Sequence, residues 1–193
     1  MTSDRPLGEF VERLADFADG RQGIRNPFVI VPVEPTYERR AVEWLSEWAR
    51  DPHETEGFPE EGTVQLLRLD RLLVETDVFD LAVDLGEQAD PATITDTMQD
   101  RLAEELVEIM IEEIDSPDQQ RHVVVLTHLG TLYPFTRASE LLDELDRRNV
   151  RSTIGIPFPG NISGGKLSLF GEKSRNYYPA HQIDGRIEEV HLQ

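Results

Sequence analysis

The chain has 193 residues, and its 19 basic against 38 acidic side chains leave a formal net charge of 19 − 38 = −19. It contains no cysteine, which excludes disulfide frameworks, thiolate nucleophiles, zinc ribbons and cysteine-held iron–sulfur clusters. The length predicts one domain over 1–193, no apolar run approaches the roughly 20 residues of a membrane span, and the start lacks a signal-peptide pattern, so a cytoplasmic location is expected. Only Lys166 and Lys173 are lysines among the basic residues. An acidic, lysine-poor surface suits high ionic strength, where salt screens self-repulsion, and it disfavours direct binding to nucleic acid phosphates.

Behind Pro6, the spacing of Leu7, Phe10, Val11, Leu14, Phe17 and Ala18 predicts an amphipathic helix that Asp19-Gly20 stops. Phe28 to Val31 reads as a buried strand between Pro27 and Pro32. Thr36 is expected to cap a helix carrying Tyr37, Ala41, Trp44, Leu45 and Trp48 on one face. The Glu-, Pro- and Gly-rich stretch 53–62 is expected to be a surface loop. Val64 to Leu69 predicts a second strand, followed by a helical stretch through Leu72, Leu73, Phe79, Ala82 and Leu85 in which Val74, Thr76 and Val78 soften the propensity.

Asp90-Pro91 opens the strongest helical pattern, with Ile94, Met98, Leu102, Leu106, Met110 and Ile114 on one face. His122 to Thr127 is the clearest strand, and the loop 127–133 leads into a helix with Leu141, Leu142 and Leu145 that ends near Asn149. A strand at 152–156, a turn-rich stretch 157–165, a short alternating piece 167–171 and an edge strand at 187–192 complete the expectation. Strands alternating with helices predict an α/β fold: a mostly parallel sheet with helices on both faces, three-layered and Rossmann-like.

No motif commits the chain to catalysis. Gly160 to Lys166 fits the GxxxxGK part of a phosphate-binding loop, but Leu167 stands where magnesium needs a Ser or Thr, and Leu-Ser-Leu-Phe-Gly reads as a strand rather than a helix. A degenerate nucleotide-binding enzyme built on that turn is the alternative reading, and a tight glycine turn is the favoured one. The five histidines have no metal-ligand spacing, so no metal or other cofactor is expected. His128 lies just past the clearest strand, where open α/β sheets place ligands. There is no GxSxG elbow. Arg147, Arg148 and Arg151 form a small basic patch that the net charge outweighs.

From Val123 to about residue 180 the chain carries a set of spaced words: Gly130, Pro134-Phe135 and Arg137, then Leu141-Leu142 and Leu145, then Phe158-Pro159-Gly160, then Leu167, Leu169-Phe170-Gly171, and Asn176-Tyr177-Tyr178. In order and spacing they resemble the BrxB family, a small component of BREX bacteriophage-defence systems. Pro27 to Ile30 and Val64 to Leu73 resemble its earlier elements more loosely. Departures fall at Thr127-His128-Leu129-Gly130, where the family has two glycines, at Asn161 and Ser163, often acidic, and at Pro179, which replaces an arginine.

The resemblance implies a non-enzymatic subunit that supports host DNA methylation and phage restriction beside a large ATPase and a PglZ-like protein, the latter the expected partner. It also implies a docking face built from the loops 127–133 and 157–165 and the segment 170–178. Its expected contact residues are Pro134, Phe135, Arg137, Phe158, Pro159, Gly160, Phe170, Gly171, Asn176, Tyr177 and Tyr178.

Overall fold

The computed structural model describes residues 6–20, 27–86, 88–114, 119–163, 166–169 and 180–192. Helix α1 (Pro6–Ala18) buries the apolar stripe anticipated for it, and Gly20, at φ 70°, takes the left-handed turn beyond its end. Strand β1 (Phe28–Val33) is buried at all six positions, as a central parallel strand requires. Thr36 does not cap α2 (Glu38–Trp48). A 3-10 turn over Pro35–Tyr37 precedes the helix, and Tyr37 stands at its N-cap without a side-chain capping hydrogen bond. Pro35 has its φ preset for a turn, and the Tyr37 N–H closes it onto the Glu34 carbonyl at 2.8 Å, which leaves Thr36 inside the turn.

The stretch 53–62 is not wholly a surface loop. Phe58 within it is buried, meeting Trp48 edge-on at 6.2 Å between ring centroids, and the Trp48 indole N–H donates to Thr55 Oγ1 at 2.8 Å. Strand β2 (Thr63–Arg68) leads directly into α3 (Leu69–Leu73), and α4 (Asp77–Leu85) follows as a separate helix. The single helical stretch expected there breaks at Thr76. Its hydroxyl donates to the Leu73 carbonyl at 2.8 Å and accepts from the Phe79 N–H at 3.3 Å, so one side chain closes α3 and caps α4.

Helix α5 (Pro91–Glu113) begins where Asp90 accepts the Ala92 and Thr93 N–H groups at 3.0 and 3.1 Å. Strand β3 (His122–Thr127) is buried throughout, and α6 (Ala138–Arg147) ends before Asn149, whose φ is 55°.

The largest departure is β4 (Thr153–Ser163), an eleven-residue strand running through the stretch read as turns. It continues because both strand neighbours hold it: β1 pairs with it as far as Val33↔Pro159, and β5 (Lys166–Leu169) pairs antiparallel with its last four residues. Two prolines fit because Pro157 and Pro159 lie opposite partners in a ladder that does not need every N–H. Beyond it, β6 (His181–Gln182) joins β1 in parallel. The edge strand expected at 187–192 reduces to a single bridge, Val33↔Ile187, followed by a 3-10 turn over Glu189–Leu192.

The fold is therefore α/β, with the sheet order β2-β3-β4-β1-β6 and β5 attached to β4; the five strands on the main path are parallel. The residues group into two compact units interleaved along the chain. The first holds 1–66, 116–127 and 151–193, and the second 67–115 and 128–150. In the first, α1 lies so close to β4 that a Cβ on Gly155 would meet the Phe10 ring at 2.9 Å and the Leu14 methyls at 3.0 Å. In the second, Met98, Leu102, Leu106 and Met110 of α5 are buried, and α6 is tied to α5 by Arg148. That side chain reaches Glu144 at 2.8 Å, Glu108 at 3.0 Å and Glu104 at 3.3 Å.

The seat of α1 on β4 leaves no room for a side chain at residue 155. Gly155→Val is expected to destabilise the protein by about 1–3 kcal/mol through overpacking against Phe10 and Leu14, seen as a lowered midpoint in chemical denaturation. Truncating Leu14 to Ala in the same variant is expected to recover part of the loss.

Candidate functional site

In open α/β sheets the carboxyl ends of the strands are where ligands and partners are met; two groups of side chains follow strand ends, each within its own unit, and a third lies further along the chain from β3. The first, in the first unit, centres on Arg186. Glu34 follows β1 directly, Asn161 projects from β4, and Arg186 and Glu188 flank Ile187. The Ile187 N–H donates to the Pro32 carbonyl at 2.8 Å, and its own carbonyl accepts from Glu34 at 2.9 Å. This clamp places the Arg186 guanidinium 2.7 Å from Glu34, 2.9 Å from Asn161 and 3.1 Å from Glu188.

Alongside lies an open cleft of about 520 Å³ lined by Glu34, Tyr37, Arg186, Glu188 and Glu189 among others. Tyr37 donates its hydroxyl proton to Glu189 at 3.3 Å. The Glu189 charge is the main reason that its phenol is held above the ordinary value of 10.0. Arg40 meets Glu189 at 3.6 Å and donates to the Leu192 carbonyl at 2.9 Å. The cleft thus has more carboxylates than cations, each cation is already engaged, and its chemistry suits recognition of a donor.

The second group sits in the second unit just past the ends of β2 and β3. Arg68 holds Asp70 with two hydrogen bonds, 3.1 Å from Nε and 2.6 Å from Nη2. His128 Nδ1 lies 3.8 Å from Asp70 Oδ1, the oxygen that accepts from Arg68 Nε. His128 adopts φ 62°, ψ 36°, a left-handed conformation that glycine takes more easily, and a 3-10 turn over Leu129–Leu132 follows it.

The third group is the surface stretch 133–137, also in the second unit. Tyr133 and Pro134 are exposed and joined by a cis peptide bond, Phe135 is half-buried, and Arg137 is exposed at the start of α6. Two anchors hold the stretch. Gln99 donates to the Pro134 carbonyl at 3.2 Å, and Glu140 accepts both the Arg137 backbone N–H at 2.8 Å and the Thr136 hydroxyl at 2.9 Å. Glu140 is the third residue of α6 and closes its first turn as the glutamate of a capping box does.

The sequence-predicted contact residues therefore divide. Pro134, Phe135 and Arg137 are contiguous at the surface. Phe158, Pro159 and Gly160 are buried inside β4 in the other unit, so they build the sheet instead of a loop. Phe170, Gly171, Asn176, Tyr177 and Tyr178 lie outside the described residues. The Gly160–Lys166 turn is contradicted as a phosphate-binding loop. Gly160 to Ser163 and Lys166 to Leu169 pair antiparallel in the register Gly160↔Leu169 to Ser163↔Lys166, so Lys166 opens a strand where that motif needs a helix N-terminus facing the phosphates.

Sequence reasoning missed Arg68, Asp70, Glu34 and Arg186. The first two carried a usable signal, since charged residues directly after a predicted strand sit at its carboxyl end. Arg186 carried none, because it meets Glu34 across 152 positions of chain. Among the described residues no three His, Asp or Glu side chains are grouped so as to hold a metal ion, and no helix is long and apolar enough to cross a membrane.

A family model described as BREX protein BrxB matches residues 64–183. A relative named BREX protein BrxB from Bacillus cereus (strain H3081.97) is 32% identical over 77 residues. The aligned stretch spans 39% of this chain and 40% of the relative's length. No solved structure matches.

His128 offers a direct check on the second group. Burial is the main cause holding its imidazole below the ordinary 6.5, while the Asp70 charge pulls it back up and Arg68 and Arg71 push it further down. A histidine depressed in the folded state binds its proton more readily when unfolded. Its stabilising contribution is therefore present above pH 6.5 and is lost as pH falls from 6.5 through the lower native value. An NMR titration of the ring protons is expected to give a midpoint below 6.5. Asp70→Asn is expected to shift it further down, and an unchanged midpoint would show that the Asp70 charge does not reach the ring.

Proposed function

The chain belongs to the BrxB family, whose model covers residues 64–183, and from that premise we propose that it serves as a non-catalytic docking subunit of a BREX phage-defence complex. In this reading it binds the PglZ-like protein, the large ATPase, or both, and so supports host DNA methylation and the restriction of unmarked phage. The observation that carries the docking role is the stretch 133–137. An exposed tyrosine, a half-buried phenylalanine and an exposed arginine lie together on a short segment pinned at both ends. Aromatic residues and arginine are the side chains over-represented at interface centres, and a pinned segment loses little conformational entropy when a partner covers it.

Arg137 contributes a planar fork of donors that fits a partner carboxylate. Phe135 offers apolar surface still open to burial, and the backbone under both is held from Gln99 and Glu140. Family membership supports association with BREX proteins, and the engaged charges at the strand ends fit a binding role better than bond-making. Tyr177 and Tyr178 remain part of the proposed contact set through the family words alone.

Affinity capture of the tagged protein from the native host, at high salt and after DNA digestion, is expected to recover the PglZ-like protein or the large ATPase. Arg137→Ala and Phe135→Ala are each expected to weaken that association by about ten-fold or more, as truncation of a central interface residue does. Undiminished recovery with both variants would overturn the placement of the contact at 133–137. Titration of the purified protein with ATP is expected to show no binding, with Lys166→Ala identical to the parent. Saturable binding lost in that variant would favour the nucleotide enzyme instead.

A further inference from the structure

The second unit leaves one apolar helix largely uncovered. Of the nine residues of α4 only Val78 is buried, whereas α1 buries eight of thirteen. Val83 is 61% exposed and Leu81 37%, and Phe79, one turn from Val83, is half-buried. At about 100° per residue, Val78, Ala82 and Leu85 share one stripe and Phe79 and Val83 form a second beside it. Asp80 and Asp84 run along the far side of that second stripe.

Along the chain the charge at α4 is one-sided, and the cation beside its start, Arg101, is engaged by Glu105, which also accepts the Val78 N–H at 2.8 Å. Residues 72–100 contain no Lys or Arg, and Asp77, Asp80 and Asp84 make no ion pair among the described residues. Some carboxylates elsewhere are paired, as Glu34 is with Arg186 and Glu61 with Arg121, and others such as Glu47 and Glu56 are not, among the described residues; what distinguishes Asp80 and Asp84 is their place along the edge of an exposed apolar stripe. Asp84 lies in the last turn of α4, where no basic residue accompanies it and the helix dipole disfavours an anion. General acidity suited to salt accounts for carboxylates anywhere on the surface. It gives no reason for exposed Val83 and half-buried Phe79 to be left uncovered beside them.

We propose that α4 is a docking surface for an amphipathic helix of a partner protein whose apolar stripe carries Lys or Arg along one edge. The apolar stripe covers Phe79 and Val83, and the bases meet Asp80 and Asp84, relieving the uncompensated charge at the helix end. The surface lies outside 133–137 and requires no BREX protein as its occupant, so either site can fail without the other.

The test titrates the full chain with a fluorescent amphipathic peptide of Leu and Lys, about 18 residues or five helical turns long, and with the same peptide carrying Glu for Lys. The Lys peptide is expected to bind and the Glu peptide not. Val83→Ser and the pair Asp80→Asn/Asp84→Asn are each expected to raise the Kd about ten-fold. The control pair Glu47→Gln/Glu56→Gln, with the same change in net charge, is expected to leave it unchanged, and circular dichroism is expected to match the parent in all variants. Equal weakening by the two charge pairs, or binding indifferent to Val83→Ser, would overturn the proposal. A dimer in sedimentation that Val83→Ser dissolves would overturn it too, assigning α4 to a second copy of this chain.

Discussion

The pairing of β1 with β4 is the constraint on which the first unit depends. Strand β1 and residues 153–160 of β4 are buried, so their backbone groups need partners, and the register Phe28↔Ile154 through Val33↔Pro159 pairs the two edges that face each other. The Ile154 N–H reaching the Pro27 carbonyl at 2.8 Å sets the register at one end. At the other end the same register brings Glu34 out of β1 beside Asn161 of β4, and Arg186 joins both. Gly155, in mid-strand, lets α1 settle directly on the sheet. A one-residue slip would turn the inward side chains of a strand outward, move Gly155 from beneath Phe10, and separate the groups around Arg186.

A second theme is how a chain with twice as many acids as bases uses its cations. Arginine does this work, and several arginines serve more than one carboxylate. Arg148 meets Glu144, Glu108 and Glu104, and Arg186 meets Glu34 and Glu188. A guanidinium presents five donors in a fixed fork, where an ammonium is a compact point charge, so one arginine can bridge several acids. Its hydrogen bonds to Glu144, and then to Glu108, push the Arg148 group further above its already high ordinary value, keeping it charged at any working pH. Glu144 is itself almost fully buried at 3% exposure. A buried carboxylate is tolerated when paired and hydrogen-bonded.

Against this background the two uncovered surfaces differ in kind. The stretch 133–137 presents aromatic rings and one arginine on a backbone held from both ends, in a chain whose family places it among BREX proteins. Helix α4 presents aliphatic side chains and unpaired aspartates. One surface offers a cation and the other asks for one, so they would select partners of opposite charge character. A small subunit that contacts more than one protein of an assembly would need such a difference to keep its partners from exchanging places.

Elements whose physics is local were legible in the order of the residues. Helices α1 and α5 were legible because apolar residues recur at helical spacing behind Pro6 and behind Asp90-Pro91, and β1 and β3 because short apolar runs sit between breakers. The alternation of these elements was enough for the α/β class. Asn149 ended α6 as read, since an asparagine tolerates positive φ. Within the candidate site, His128, Phe135 and Arg137 were legible from the strand end and the family words. The remaining features depend on neighbours far along the chain. Strand β4 runs on through Pro157 to Ser163 because β1 and β5 pair with it, overriding turn-forming residues; the segment after Ile187 forms a 3-10 turn; and Phe58 leaves its polar loop to pack on Trp48. Arg186 became part of a site because the sheet register carried Glu34 and Asn161 to it. Periodicity records which face of an element is apolar, whereas hydrogen-bond pairing and charge contacts across a hundred residues depend on the register in which the strands meet.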